Sequence, residues 1–393
     1  MYSVAPAETD FAGLISRVHA IGKETVAAFA VEVDRDARFP RESIAALKAE
    51  RLLSAYVPTE FGGMGLTITE LCKVCEVLGQ YCASTAMVYA MHQIQVGCIV
   101  HHALGSPFFR DFAREMVRDQ LLLASATTEV GIGGDVRSSI CALQASGETF
   151  VLEKQAPVIS YALESDAILV TCRRASDASR SDQLHVLVRR RDCTLTPISG
   201  WDTLGFRGTC SLGFSLVSRG SMEQVLPVPY ADIHARTMHP FAHSVWGSLW
   251  FGIATDALNR ARVAVRTEAR KTPGVTPISG VRLAEADVVL FQMRGGLYST
   301  IAEYQQMLDT NWSAAESAYG FAIRVNDLKL ASSQLVVDIV GKAMLICGIS
   351  GYRNDSKLTL GRHLRDAYGA ALMVNNDRIM GQSATMLIAQ RES

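Results

Sequence analysis

Between Thr127 and Asp135 the chain reads Thr127-Thr128-Glu129-Val130-Gly131-Ile132-Gly133-Gly134-Asp135, with three glycines in four positions. Glycine lets the backbone turn sharply and approach a ligand with no Cβ between them. The stretch follows an apolar run, 121–124, that reads as a short strand, so the turn can aim several N–H groups at a phosphate. The dinucleotide fingerprint G-x-G-x-x-G does not fit, because no third glycine falls in its place and the sequence that follows is strand-like. Two other groupings could do chemistry. Cys72 and Cys75 form a C-x-x-C, but Leu71, Val74, Val77 and Leu78 around them make an apolar helix with no second ligand pair, so a packed helix face is expected rather than zinc. His92, His101 and His102 share one helical segment, where a histidine is usually a satisfied structural residue; His92 is the one assigned a place near a ligand.

The run Thr128-Glu129-Val130-Gly131-Ile132-Gly133-Gly134-Asp135 resembles the T-E-P-G-x-G-S-D signature of the acyl-CoA dehydrogenase superfamily, and further landmarks occur in order on both sides. Residues 56–66 resemble the family's P-E-x-Y-G-G-x-G-L segment, Val158-Ile159-Ser160 its W-I-T/S strand, and 200–209 its hairpin ending G-x-R-G-S/T. The resemblance implies an N-terminal helical domain (1–119), a middle β-barrel (120–232) and a C-terminal helical bundle (233–393), an α+β multidomain fold holding FAD. A flat isoalloxazine ring wants fixed donors at its polar edges and no charge against its face. By resemblance Thr127 and Thr128 supply hydroxyls to the pyrimidine edge and Ser160 one near N5, while Val158 stands where a shielding Trp is usual. Arg207 carries the charge of the hairpin motif, as a structural residue or a substrate contact.

The likeness then departs from its pattern. Gly133 and Gly134 would face the diphosphate, but Gly134 replaces a serine hydroxyl. Arg270 opens 270–274, which resembles the R-x-x-F-G element that reaches a neighbouring subunit's cofactor, with Pro273 in place of the aromatic residue. In 345–352, resembling Q-x-x-G-G-x-G-Y, Leu345 and Ile349 replace the Gln and one glycine. Weaker cofactor affinity is expected. The largest departure follows Arg365-Asp366-Ala367, which matches the R-D-A before the catalytic Y-E-G-T. Counting on gives Met373-Val374-Asn375-Asn376, so Val374 occupies the glutamate's slot, in the substrate pocket, and Asn375 and Asn376 stand at the cofactor. Valine cannot pull an α-proton. The alternative slot on the first bundle helix is Ala242, with no Asp or Glu in 240–254. Asp377 is the nearest carboxylate and the candidate base, with helix capping as its other reading.

These residues need elements to hold them. Apolar residues at helical spacing mark 11–29, 41–53, 69–80, 84–104 and 107–118 as helices, and short apolar runs bounded by turn residues mark 150–152, 167–171 and 184–188 as strands. Helical periodicity returns over 245–270, 283–312, 314–329 and 331–347, with a shorter helix near 362. The 393 residues suffice for two or three domains. With 38 Lys and Arg against 39 Asp and Glu, the net charge of −1 offers no global field to recruit nucleic acid or an anionic membrane. The nearest thing to a span is 245–254, which is too short, and residues 1–20 lack the apolar core of a signal peptide, so a cytoplasmic protein with reduced thiols is expected.

Three functions remain open. One is FAD-dependent α,β-dehydrogenation of an acyl thioester carried by CoA or a carrier protein, with a relocated base. The second is a monooxygenase using reduced flavin and O2, with FMN or FAD borrowed from a separate reductase, a chemistry that does not require the glutamate. The third is a flavin- or carrier-protein-binding module without catalysis. By resemblance the chain is expected to form a homodimer or homotetramer.

Overall fold

The computed structural model describes residues 10–271, 273–312 and 318–389. Residues 1–9 of the N-terminal stretch, Thr272 of the 270–274 element and residues 314–317 of the expected helix 314–329 lie outside the described residues. The chain begins with α1 (Phe11–Ile21) and α2 (Ala27–Arg35), joined by a π-helical turn at Gly22–Val26 that breaks the single helix expected there. Then come α3 (Arg41–Ala49), α4 (Ile68–Tyr81), α5 (Ala83–His102) and α6 (Pro107–Asp119). A capping box starts α4: the Glu70 N–H donates to Thr67 Oγ1 at 3.2 Å, and Glu70 Oε2 accepts from the Thr67 N–H at 2.8 Å. Cys72 and Cys75 are buried on this helix, where burial pushes the Cys72 thiol up to about 12.

Seven strands follow: β1 (Leu123–Ala126), β2 (Gln144–Ser146), β3 (Thr149–Ala156), β4 (Ala167–Arg173), β5 (Gln183–Arg189), β6 (Cys193–Ser199) and β7 (Gly213–Ser221). They form two sheets, ordered β1-β4-β5 and β2-β3-β7-β6, in which β1 alone runs parallel to its neighbour. Single bridges from Ala142 to Arg173 and from Val186 to Val225 close the region into a partly open barrel. A short α7 (Tyr230–Ile233) and a second π-helical turn, His234–Met238, lead into the bundle of α8 (His239–Ala269), α9 (Ile278–Asp309), α10 (Ala318–Cys347), α11 (Ile349–Tyr352), α12 (Gly361–Leu372) and α13 (Asn376–Ala389). Where two helices were expected across 330, α10 is continuous, since no glycine or proline falls there. By length and composition Gly320–Cys347 is apolar enough to cross a membrane, at a mean hydropathy of 1.6; here it packs against α8, α9, α12 and α13. The N-terminal helices join the bundle where α4 crosses α8. A Cβ on Gly79 would lie 2.3 Å from Leu249 O, and one on Gly252 2.2 Å from Glu76 O, so only glycine permits that approach.

Two buried lysines fix the loops that flank the meeting of barrel and bundle. On β3 the side chains alternate, and Lys154 falls on the inward face. Its Nζ donates to Thr171 O at 2.7 Å and Thr171 Oγ1 at 3.1 Å, and lies 3.6 Å from Glu129 Oε2. Glu129 in turn accepts from Ser139 Oγ at 2.7 Å, Ile140 N at 3.1 Å and Cys141 N at 2.6 Å, drawing together both ends of the glycine-rich loop. The second lysine, Lys329 on α10, is fully buried and donates to Val374 O at 2.7 Å and Asn376 Oδ1 at 2.5 Å. It holds Val374 at φ +51°, a left-handed conformation costly for a β-branched residue. Burial pulls the Lys329 ammonium down to about 8.

Lys154→Met leaves the Glu129 carboxylate buried without its counter-charge, and chemical denaturation should show a loss of about 3 kcal/mol. For Lys329 the expectation concerns pH. The unfolded chain keeps the proton to about 10.5 and the folded chain only to about 8, so between these values stability contributed at this site rises with pH. The wild type should therefore gain stability relative to Lys329→Met as the buffer is moved from pH 8 to pH 10, read as a widening difference in melting temperature.

Candidate functional site

A cavity of about 540 Å³ opens between barrel and bundle. One face of α5 supplies Met87, Met91, Ile94 and Gln95, at the spacing that stacks side chains along a helix. Met238, the last residue of the π-turn, and Ala242 and Trp246 of α8 repeat at i, i+4, i+8. From the barrel come Ser125, Thr127 and Thr128 at the end of β1, Val158 and Ser160 beyond β3, and the 201–211 segment; the end of α12 closes the wall with Arg365, Tyr368, Leu372, Met373 and Val374.

The wall is close to neutral. Among the described residues no Asp, Glu, His, Lys or Cys lines it. Its one cation, Arg365, is committed elsewhere: both terminal nitrogens pair with Asp34, Nη1 at 2.8 Å, and Nη1 also reaches Leu204 O at 3.0 Å. The neighbouring Asp366 accepts the Phe206 N–H at 2.7 Å, and burial raises its carboxyl to about 6. Arg365 and Asp366 thus clamp the 201–211 segment to α12. Against this wall runs a chain of hydroxyls: Ser160 Oγ to Ser211 Oγ at 2.7 Å, Ser211 Oγ to Thr209 Oγ1 at 2.7 Å, and Thr209 Oγ1 donating to Phe206 O at 2.9 Å.

Of the residues singled out by sequence, Thr127, Thr128, Ser160 and Val374 line the cavity, and Thr128 Oγ1 donates to Val158 O at 3.1 Å. The others stand elsewhere, for physical reasons. His92 does not line the cavity. It is fully buried, with Nε2 on Leu53 O at 2.7 Å and Nδ1 accepting the Leu123 N–H at 2.9 Å, and burial lowers it to about 4, so it is a neutral cross-link between α5 and β1. His101 and His102 are likewise lowered to about 4 and bonded to Tyr56 and Thr237. Arg207 is structural: Nε donates to Asp34 O at 2.9 Å and Nη1 to Thr203 O at 2.7 Å.

Asp377 is exposed in the first turn of α13 and does not line the cavity, so the assigned base faces away from it. Asn375 caps that helix by accepting the Asp377 N–H at 2.8 Å, and Asn376 bonds Lys329 and Ser333; neither lines the cavity. Gly133 and Gly134, at φ +58° and +79°, form an exposed turn beside the cavity, where Arg378 of α13 donates to Gly133 O. Arg270 ends α8, roughly 40 Å along the helix axis from Ala242 at about 1.5 Å per residue, so it cannot serve this chain's own cavity. Sequence reasoning missed Ser211, Lys329 and Arg378. Ser211 lies two residues beyond the matched hairpin motif, and the other two gain meaning only from tertiary neighbours.

The family described as acyl-CoA dehydrogenase, N-terminal domain, matches residues 12–129. A probable acyl-CoA dehydrogenase, fadE25, of Mycobacterium leprae is 22% identical over 90% of this chain and 89% of its own. The amino sugar nitrososynthase DnmZ of Streptomyces peucetius is 25% identical over 86% of this chain and 84% of its own. Among solved structures, the dibenzothiophene monooxygenase TdsC of Paenibacillus sp. A11-2, in complex with FMN and indole, superposes at a TM-score of 0.85 over 98% of each chain with 18% identity. The N-terminal third of the chain thus matches the acyl-CoA dehydrogenase family model, and over nearly its whole length the chain is similar in sequence to acyl-CoA dehydrogenases and in fold to TdsC.

Proposed function

We propose that the chain is a flavin-dependent monooxygenase built on the acyl-CoA dehydrogenase fold, acting on a neutral, largely apolar substrate. The observation that carries this reading is the cavity wall, which among the described residues holds hydroxyls, one amide, two indoles, the paired guanidinium of Arg365 and apolar groups but no carboxylate, imidazole, amine or thiol. Dehydrogenation of an acyl thioester needs a base at the α-carbon. Both slots that could hold one are apolar, Val374 and Ala242, and Asp377 points to solvent.

The residues fit a flavin nucleotide. A cavity of about 540 Å³ is of cofactor-pocket size, its polar groups carry no free charge, and a guanidinium stands at the glycine turn. Thr127, Thr128 and Ser160 would hold the polar edge of the ring, and the Gly133–Gly134 turn with Arg378 would meet the phosphate. When bound, the reduced cofactor supplies the two electrons with which O2 is split, one oxygen atom entering the substrate and the other leaving as water. The protein's part is to keep water out with Met87, Met91, Met238 and Trp246, to orient the ring by hydroxyls, and to donate or accept a hydrogen bond at Ser160 Oγ. A separate reductase is the partner this reading requires, and Arg270 would serve only from another copy of the chain.

Thr128→Val combined with Ser160→Ala removes two hydrogen-bonding groups, and the Kd for FMN and FAD in a fluorescence titration should rise at least about tenfold; unaltered titration would remove the pocket assignment. The reaction class is read with isotopically labelled O2 and reduced FMN, using indole as the first probe. Label in the product and no anaerobic bleaching of bound oxidised flavin by butyryl-CoA are expected. Bleaching that disappears in Asp377→Asn would return the chain to the dehydrogenases.

A further inference from the structure

The hydroxyl chain behind Ser160 has a property that its end member alone would lack. Ser160, Ser211 and Thr209 are each at least nine-tenths buried, and all three belong to the cavity wall. They carry three hydroxyl protons. With Ser160 donating to Ser211, Ser211 to Thr209 and Thr209 to Phe206 O, every proton is used within the wall, and Ser160 turns only lone pairs to the cavity. Reversing the order, Thr209 donates to Ser211, Ser211 to Ser160, and Ser160 presents its O–H to the cavity. What the reversal gives up is the bond from Thr209 to Phe206 O. That carbonyl also takes the Thr209 N–H at 3.0 Å and the Trp201 Nε1–H at 3.2 Å, so it keeps two donors for its two lone pairs. Neither order leaves a buried polar atom without a partner.

Resting on the flavin reading above, we infer that Ser211 and Thr209 are positioning residues that let Ser160 change from donor to acceptor as the bound cofactor changes redox state. Two-electron reduction, with electrons from the reductase and a proton from solvent, turns a ring-edge nitrogen from a hydrogen-bond acceptor into an N–H donor. Ser160 meets the first with its O–H and the second with its lone pair, its O–H then turning to donate to Ser211 as the three hydroxyls rotate. No covalent bond in the protein is made or broken. Without Ser211 the Ser160 proton has no acceptor in the wall and stays directed at the ring, which favours the oxidised state over the reduced one.

The test is the midpoint potential of FMN bound to the full chain, measured anaerobically against a reference dye during dithionite titration. Ser211→Ala should lower the potential by about 30 mV, equivalent to a tenfold loss of preference for the reduced form in a two-electron couple. Thr209→Val should shift it the same way by less, and serves if Ser211→Ala fails to fold. In a Ser160→Ala background the Ser211→Ala change should move nothing, a coupling that a merely structural role would not produce. A bound FMN whose potential ignores Ser211 and Thr209, or shifts equally with Ser160 absent, overturns the relay and leaves the functional reading standing. Failure of the wild type to bind any flavin nucleotide overturns both.

Discussion

Burying an ammonium group is costly, and this fold does so twice to hold two loops still. Lys154 and Lys329 are each sealed from solvent, and each answers its lost hydration with carbonyl, hydroxyl, amide or carboxylate oxygens. Lys154 works through Glu129 and fixes the ends of the glycine-rich loop. Lys329 grips the Val374 carbonyl and keeps that valine left-handed. Between these loops the cavity wall carries no unpaired charge: the lysines lie behind it, and the one guanidinium among its described residues, Arg365, is already matched by Asp34. Arg365 and Asp366 follow the same pattern of matched charge, pinning the 201–211 segment to α12.

Neutrality has a chemical consequence. A carboxylate at the site of Val374 would serve proton abstraction, but it would also set a negative charge against whatever lies in the pocket. With valine there, the remaining polar functions are hydroxyls, an amide, indoles and a guanidinium already paired with Asp34, groups that orient and polarise without adding an unmatched charge. Binding of flat, uncharged molecules and exclusion of water become the wall's main capacities. The backbone strain stored at Val374 fits a loop whose shape is imposed from outside by Lys329.

Much of this arrangement was legible in the sequence. The order of helices, strands and helices followed from periodicity, and Thr127, Thr128, Ser160 and Val374 were found because local motifs carry them. What escaped depends on partners far away in the chain. His92 looked chemical on an apolar helix, yet its ring nitrogens are occupied by Leu53 and Leu123. Asp377 looked like a base because it is near Val374 in sequence, but a helix starts between them and turns it outward. Lys154 could have been suspected, since strand alternation places it among Phe150, Leu152 and Ala156 on the inward face, where a lone cation demands an anion. Nothing local marks Lys329, whose neighbours Val374 and Asn376 come from the end of the bundle.

The π-helical turn at His234–Met238 sets the rotational phase of the wall that α8 lends to the cavity. Such a turn carries one residue more than an α-helical turn, and everything after it is rotated by about 100° relative to an uninterrupted helix. Met238, Ala242 and Trp246 follow the turn at the four-residue spacing of an α-helix face, so the offset fixes the direction in which that stripe points. The pocket's lining is therefore indexed by a length, not only by side-chain identity. Relatives with or without that one inserted residue would display different stripes of an otherwise similar helix, so a single insertion or deletion could re-face the chamber with its sequence unaltered.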